Sequence, residues 1–144
     1  MVVKSWFDKD FVKKLNLAVY EAIDKSYVED IVNSTPVDTG VTRNSWDFYP
    51  TGFFEYKLVN TNGPITLFLE LGTGVYGPRK RYITPVRKKV LRWYDKKSKT
   101  YKYAKRVKGI KPYKFIKTSI DNPKNLSKFN EVLKHRLEKL KKSL

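Results

Sequence analysis

Asn33-Ser-Thr-Pro-Val-Asp-Thr-Gly-Val-Thr-Arg-Asn-Ser-Trp46 is the stretch where one hydrophobic period ends and another begins, and that change decides the fold class. Upstream of it Phe7, Phe11, Leu15, Ala18 and Ala22 recur at spacings of 4, 4, 3 and 4, and Val12, Val19 and Ile23 widen the stripe. This is the period of an amphipathic helix, placed at about Trp6–Asn33. Ser5 with Asp8 three residues on reads as its capping start. Pro36 ends it, because proline disfavours helical geometry at the residue before it. Inside the stretch, Asp38 suits a side-chain-to-backbone turn and Gly40 a positive φ. Downstream, Trp46 and Phe48 alternate with Ser45 and Asp47, and Phe54, Tyr56 and Leu58 with Glu55 and Lys57. That is the period of half-buried strands.

Working outward, Asn60-Thr-Asn-Gly-Pro64 is a turn, and Ile65–Leu71 is a short apolar strand or a helical turn, which periodicity does not decide. Val90–Tyr94 and Thr100–Val107 flank the polar loop Asp95-Lys-Lys-Ser-Lys99 and predict a long β-hairpin. A turn centred on Lys97 sets Trp93 opposite Tyr101, Leu91 opposite Tyr103 and Arg92 opposite Lys102. Directly opposed cations are tolerable where they meet an anion. Gly109-Ile-Lys-Pro112 turns the chain into a strand-like return over Tyr113–Ile120, and Asp121-Asn-Pro123 opens a final helix. Its seam is Leu126, Phe129, Leu133, Leu137, Leu140 and Leu144. The expectation is an α+β protein, residues 1–144 as a single domain. Long N-terminal and C-terminal helices pack on a mainly antiparallel sheet that carries a long basic β-hairpin.

Charge is the second organising feature. The 144 residues hold 31 Lys+Arg, 14 Asp+Glu, one His and no Cys, for a net of +17. Absence of Cys excludes disulfides, cysteine-ligated metals and thiol nucleophiles. The apolar run Ile65–Leu69 is far short of a membrane span, and Met1-Val-Val-Lys lacks a signal peptide's apolar stretch, so no membrane association is expected. Residues 1–78 carry 7 Lys+Arg and 10 Asp+Glu, whereas residues 79–117 carry 17 Lys+Arg and the single acid Asp95. The candidate anion-contacting or subunit-contacting residues are therefore Arg79, Lys80 and Arg81 in one loop, Arg87, Lys88 and Lys89 in the next, and the hairpin set. That set is Arg92, Lys96, Lys97, Lys99, Lys102, Lys105, Arg106 and Lys108. Such a segment calls for a counter-charge: nucleic acid, a membrane surface or an acidic protein face.

No catalytic constellation emerges. Gly72-Thr-Gly-Val-Tyr-Gly77 fits the letters of a dinucleotide fingerprint, but Pro78 and Pro85 and the lack of a following apolar helix argue for a mobile glycine-rich loop beside basic residues. His135, the single imidazole, sits among lysines off the leucine seam. The carboxylates open to a metal-dependent nuclease, Asp38, Asp47, Glu55 and Glu70, match no ligand spacing. The expectation is no enzyme, no cofactor and no metal.

Three stretches carry a resemblance. Ser34-Thr-Pro-Val-Asp-Thr-Gly-Val-Thr-Arg-Asn-Ser45 resembles the P-V-D-T-G-x-L-R-x-S signature of the tail-completion, or tail-component, family of long-tailed bacteriophages. Leu67-Phe-Leu-Glu-Leu-Gly-Thr73 resembles its Y-x-E-x-G-T element, and Lys108-Gly-Ile-Lys-Pro-Tyr-Lys-Phe-Ile-Lys-Thr-Ser-Ile120 its G-x-x-P-x-P-F-L-x-P-A-L stretch. The three occur in the family's order; Val41 and Thr42, and Lys117 and Thr118, depart from its pattern. The resemblance implies a structural virion protein of the phage neck, acting in tail completion or head–tail joining as one subunit of a homo-oligomeric ring, a hexamer. It would lie in the tail and neck of the virion, and in the host cytoplasm during assembly. Its partners would be copies of itself, neighbouring neck and tail proteins, and double-stranded DNA in the channel. The family-motif residues carried over are Asp38, Thr39, Gly40, Arg43, Glu70, Gly72 and Thr73, read as a turn that aims Arg43 toward Glu70. Ring contacts are expected at the Leu126–Leu144 seam or at residues 1–78, one copy's −3 surface meeting another's +16 segment. The rival expectation is a sequence-independent nucleic-acid-binding protein, with the hairpin on phosphates and Trp93, Tyr101 and Tyr103 offered for stacking.

Overall fold

The structure is a computed structural model that describes residues 8–143. Its elements run α1 (Lys9–Ile23), a π-helical turn (Asp24–Val28), α2 (Glu29–Ser34), α3 (Val41–Asn44), β1 (Trp46–Gly52), β2 (Glu55–Asn60), α4 (Gly63–Leu71), a 3-10 turn (Gly74–Tyr76), β3 (Leu91–Asp95), β4 (Thr100–Ala104), α5 (Phe115–Asp121) and α6 (Pro123–Lys142). The fold is α+β, with two separate two-stranded antiparallel sheets, β1–β2 and β3–β4. The described chain gathers into two compact units. One comprises the residues up to Gly63 together with those from Phe115 on; the other is Pro64–Lys114.

In the first unit, α1, the π-turn and α2 form one uninterrupted helical run ending just before Thr35 and Pro36, as the period and the proline predict. The start differs from expectation. Asp8 is the N-cap, its carboxylate accepting the Asp10 N–H at 3.1 Å, while the expected opening at Ser5 and Trp6 lies outside the described residues. The buried Ser26 hydroxyl donates to the Ala22 carbonyl at 2.6 Å within the widened π-turn.

α6 lies antiparallel along this run. Asn122 caps it and Pro123 occupies its first position, where a missing N–H costs nothing. The pairs that join the two helices run in reverse order: Arg136 with Glu21 at 2.7 Å, Tyr27 with Phe129 at 6.5 Å between centroids, Lys128 with Glu29 at 3.5 Å, and the Asn125 amide donating to Asp30 at 2.7 Å. The expected leucine seam holds at Phe129, Leu133 and Leu140, which are half-buried, and shifts at its other described positions. Leu126 and Leu137 are exposed, and Asn125, Val132 and Arg136 are on the covered side in their place, because polar partners on the long run draw that face inward. Leu144 lies outside the described residues.

β1–β2 packs on α1 through aromatic side chains whose hydroxyls reach backbone. Tyr20 stacks on Phe48 at 4.7 Å and donates to its carbonyl at 2.8 Å; Tyr56 donates to the Asn16 carbonyl at 2.9 Å and also meets the Asn16 side chain. Burial raises both phenols above their usual pKa, and for Tyr20 the carboxylates of Asp24 and Asp47 add to this. The expected strand-like return over Tyr113–Ile120 is instead the helix α5 from Phe115. Phe115 and Ser119, four apart, are buried, and Lys117 pairs with Asp121 at the same spacing. Among the described residues the buried apolar ones are Ala18, Ala22, Val28, Ile31 and Phe115, all in this unit.

The second unit begins with α4, which settles Ile65–Leu71 as helix. It continues into a backbone clasp. Thr73 N–H donates to Ile110 O at 2.9 Å, Val75 N–H to Lys108 O at 2.8 Å, Tyr113 N–H to Leu69 O at 2.9 Å, and Ile83 and Val107 exchange both bonds. The hairpin follows a different register from the expected one. Leu91 pairs with Ala104, Arg92 with Tyr103, Trp93 with Lys102 and Tyr94 with Tyr101, over strands of five residues that stop before Val107. The one-residue slip arises at the turn. Asp95 accepts the Lys97 N–H at 3.2 Å and the Ser98 hydroxyl at 2.9 Å, and Lys99 takes a φ of 53°, so the loop closes on Thr100 rather than Lys99. Arg92 and Lys102 are consequently not opposed.

Candidate interaction surface

Each stretch that carries the resemblance forms a structural joint. In the first, Gly40 has φ 85° and starts α3, while Asp38 and Thr39 occupy the exposed bend before it. That short helix returns Arg43 to the end of α2, where Nη2 donates to the carbonyls of Asn33 and Thr35 at 2.9 and 3.0 Å. These are among the carbonyls a helix end leaves without intrahelical partners. Thr35 is fully buried; its hydroxyl donates to Ile31 O at 2.8 Å and accepts the Trp46 indole N–H at 2.9 Å. Trp46 in turn meets Phe115 edge-on at 6.5 Å. Sequence reasoning misses this role of Thr35 and Trp46, although a threonine closing a helix before proline is a visible signal. Arg43, expected to point to Glu70, has these helix-end carbonyls as partners; Glu70 belongs to the other unit and accepts the Lys114 N–H on its own carbonyl at 3.3 Å.

The second and third stretches join each other. Gly72 has φ 76°, and a Cβ there would crowd Ile110 and Pro112. Gly74 at φ 64° lies against the Lys108 carbonyl and Gly109 at φ 94° against Thr73, each too close for any side chain. The Thr73 hydroxyl accepts the Ile110 N–H at 2.9 Å. The glycines expected to make a mobile loop therefore permit close backbone approach. A helix precedes them and a 3-10 turn, Gly74–Tyr76, runs through them, in place of the strand before and the helix after a dinucleotide site.

The basic residues frame the rest of this unit. Arg79, Lys80, Arg81, Arg87, Lys88, Lys89, Arg92, Lys96, Lys97, Lys99, Lys102, Lys105, Arg106 and Lys108 are all exposed. Pro64–Lys114 holds 16 Lys and Arg against Glu70 and Asp95, a net of +14. Two carboxylates cannot neutralise sixteen cations. Lys102, 2.6 Å from Asp95, together with Ser98 and the Lys97 N–H, holds that carboxyl down at about 2. Other cations lie on aromatic faces: Arg92 over Tyr101 at 4.0 Å, Arg106 over Tyr82 at 4.4 Å and Lys111 over Tyr76 at 5.7 Å.

Apolar side chains are exposed beside these charges. Leu67, Phe68 and Leu71 of α4, with Leu91 and Trp93 of the hairpin, line an open groove of about 1340 Å³ rimmed by Arg79, Arg81 and Arg92. That exceeds the roughly 300–1,000 Å³ of small-molecule pockets. Among the described residues no group of three or more His, Cys, Asp or Glu is placed to hold a metal, and no helix is long and apolar enough to cross a membrane. His135 is exposed on α6. Compared with protein-family profiles, curated proteins and solved structures, the sequence and fold match none.

Proposed function

We propose that this chain is a structural virion protein of the bacteriophage neck, a tail-completion or head–tail joining subunit that works as a homo-oligomeric ring, a hexamer, against neighbouring neck and tail proteins. One observation carries the reading. Within Pro64–Lys114 no apolar side chain is buried, yet Ile65, Leu67, Phe68 and Leu71 on one short helix are 45–55% exposed and Val86 is 97% exposed. An apolar helix face is ordinarily enclosed, and exposed apolar patches of this kind mark surfaces that assembly covers. The positions of the three resembling stretches support the same reading. Each serves a joint of the backbone, as a fold signature does, and none brings together nucleophile, base and metal ligands. The protein acts by shape and charge, without catalysis or a cofactor.

The reading is tested by mass photometry and negative-stain imaging of the purified chain, alone and with candidate neck and tail proteins of the same phage. Discrete closed rings, with six subunits as the expected count, support it. A monomer at every concentration that adds to no neck or tail assembly overturns it.

A further inference from the structure

A ring of identical subunits cannot resolve this protein's charge. Setting one copy's acidic surface against the next copy's basic segment redistributes charge, but every copy still brings +17 to the assembly. What small ions do not supply comes from a different molecule, and the unit that carries +14 shows the chemistry that would recognise it. Because Arg92 pairs with Tyr103 and Tyr94 with Tyr101, these four side chains share one hairpin face, opposite Leu91 and Trp93. Tyr94, Tyr101 and Tyr103 are 51, 53 and 61% exposed there. The Tyr101 ring is already occupied, with Arg92 over its face at 4.0 Å and Tyr94 at its edge at 5.3 Å. It is therefore a poor platform for a stacked base. A guanidinium seated over a ring face is positioned by it without using its N–H donors, which suit the paired oxygens of a phosphate. Arg106, over Tyr82, repeats the device, and Lys96, Lys97 and Lys99 crowd the exposed tip. A two-stranded ribbon without a third strand is also an element that a duplex groove admits.

We infer that the β3–β4 hairpin, with Arg106 just beyond it, is a duplex-DNA contact surface, sequence-independent, that binds backbone phosphates through Arg92, Arg106 and the tip lysines. This goes beyond the assembly reading and stands without it, since binding and ring formation are read separately.

The test is fluorescence anisotropy of the full chain with a labelled duplex of about 30 base pairs, between about 50 and 200 mM KCl. Binding with a log–log salt slope of about −4 or steeper is expected. Lys97→Ala/Lys99→Ala should make that slope shallower by about 2, roughly one for each phosphate no longer neutralised. Lys13→Ala/Lys14→Ala, the same charge change on α1, should leave the slope unchanged. Circular dichroism melts of all three proteins show whether each is folded, and Arg92→Ala provides a second hairpin variant. Any of four results overturns the inference: no binding at about 50 mM salt, equal losses from the α1 and hairpin variants, tighter binding to a single strand of the same length, or equal displacement by polyglutamate of matched charge. The last result would assign the surface to an acidic protein instead.

Discussion

The two compact units use aromatic side chains in opposite ways. In the first, Tyr20, Tyr56 and Trp46 direct their polar atoms to Phe48, Asn16 and Thr35, and their rings pack on one another or on Phe115. In Pro64–Lys114, Tyr82 and Tyr101 carry guanidinium groups on their faces, and the unit is joined by backbone hydrogen bonds between residues 69–83 and 107–114. One unit derives its stability from buried apolar surface. The other has little of it and presents its side chains outward. Composition separates them by charge and by phenylalanine, since Pro64–Lys114 has a net of +14 and Phe68 as its one phenylalanine, but both are rich in tyrosine, and what composition does not show is the direction those tyrosines face.

The contrast is broken most readily at the core. Phe115→Ala should lower stability by about 3–5 kcal/mol in denaturant unfolding, the usual cost of emptying a buried phenylalanine site. Trp93→Ala, at a residue 41% exposed, should change it by about 0.5 kcal/mol or less. Equal effects would mean that the second unit has a core of its own. Gly74→Ala should destabilise by about 2 kcal/mol, because φ is 64° and a Cβ meets the Lys108 carbonyl. Hydrogen exchange should locate that loss at the Thr73 and Val75 amides, with α1 and α6 protected as before.

Thr35→Val removes the acceptor of the Trp46 indole and should cost about 1–3 kcal/mol, with a shifted tryptophan emission as its signature. The smallest effect belongs to pH. Asp95 titrates at about 2 when folded against an ordinary 3.8, so its support of the hairpin turn is complete above 3.8 and is lost as pH falls toward 2. The Lys97 amide shift should follow that window by NMR, and Asp95→Asn should abolish the titration.

Legibility in sequence followed the same division. The helix ended by Pro36, the β1 and β2 alternation and the Asn122–Pro123 helix start were all readable, because periodicity and proline act locally. Three features were not. The register of β3–β4 turned on Asp95 bonding two residues ahead and on Lys99 at positive φ, which no apolar pattern encodes. The α5 helix hid behind a short apolar run whose spacing suits strand or helix equally. The clasp depends on glycines more than thirty residues apart meeting each other's backbones, which one sequence cannot reveal. Of the candidate surface, its charge was legible from the start. The Arg92–Tyr101 pair was not, since it depends on a register one residue away from the expected one.

The proposed role requires that Pro64–Lys114 be covered by assembly rather than by a core of its own. Mass photometry of Leu67→Asp/Phe68→Asp beside the wild type, with a thermal melt of each, puts that requirement to the test. The prediction is rings for the wild type and single subunits for the variant, which still folds with a cooperative melt because neither side chain is buried, while the wild type melts higher by the contribution of assembly. Loss of folding in the variant, or an oligomer indifferent to both charges, would contradict it.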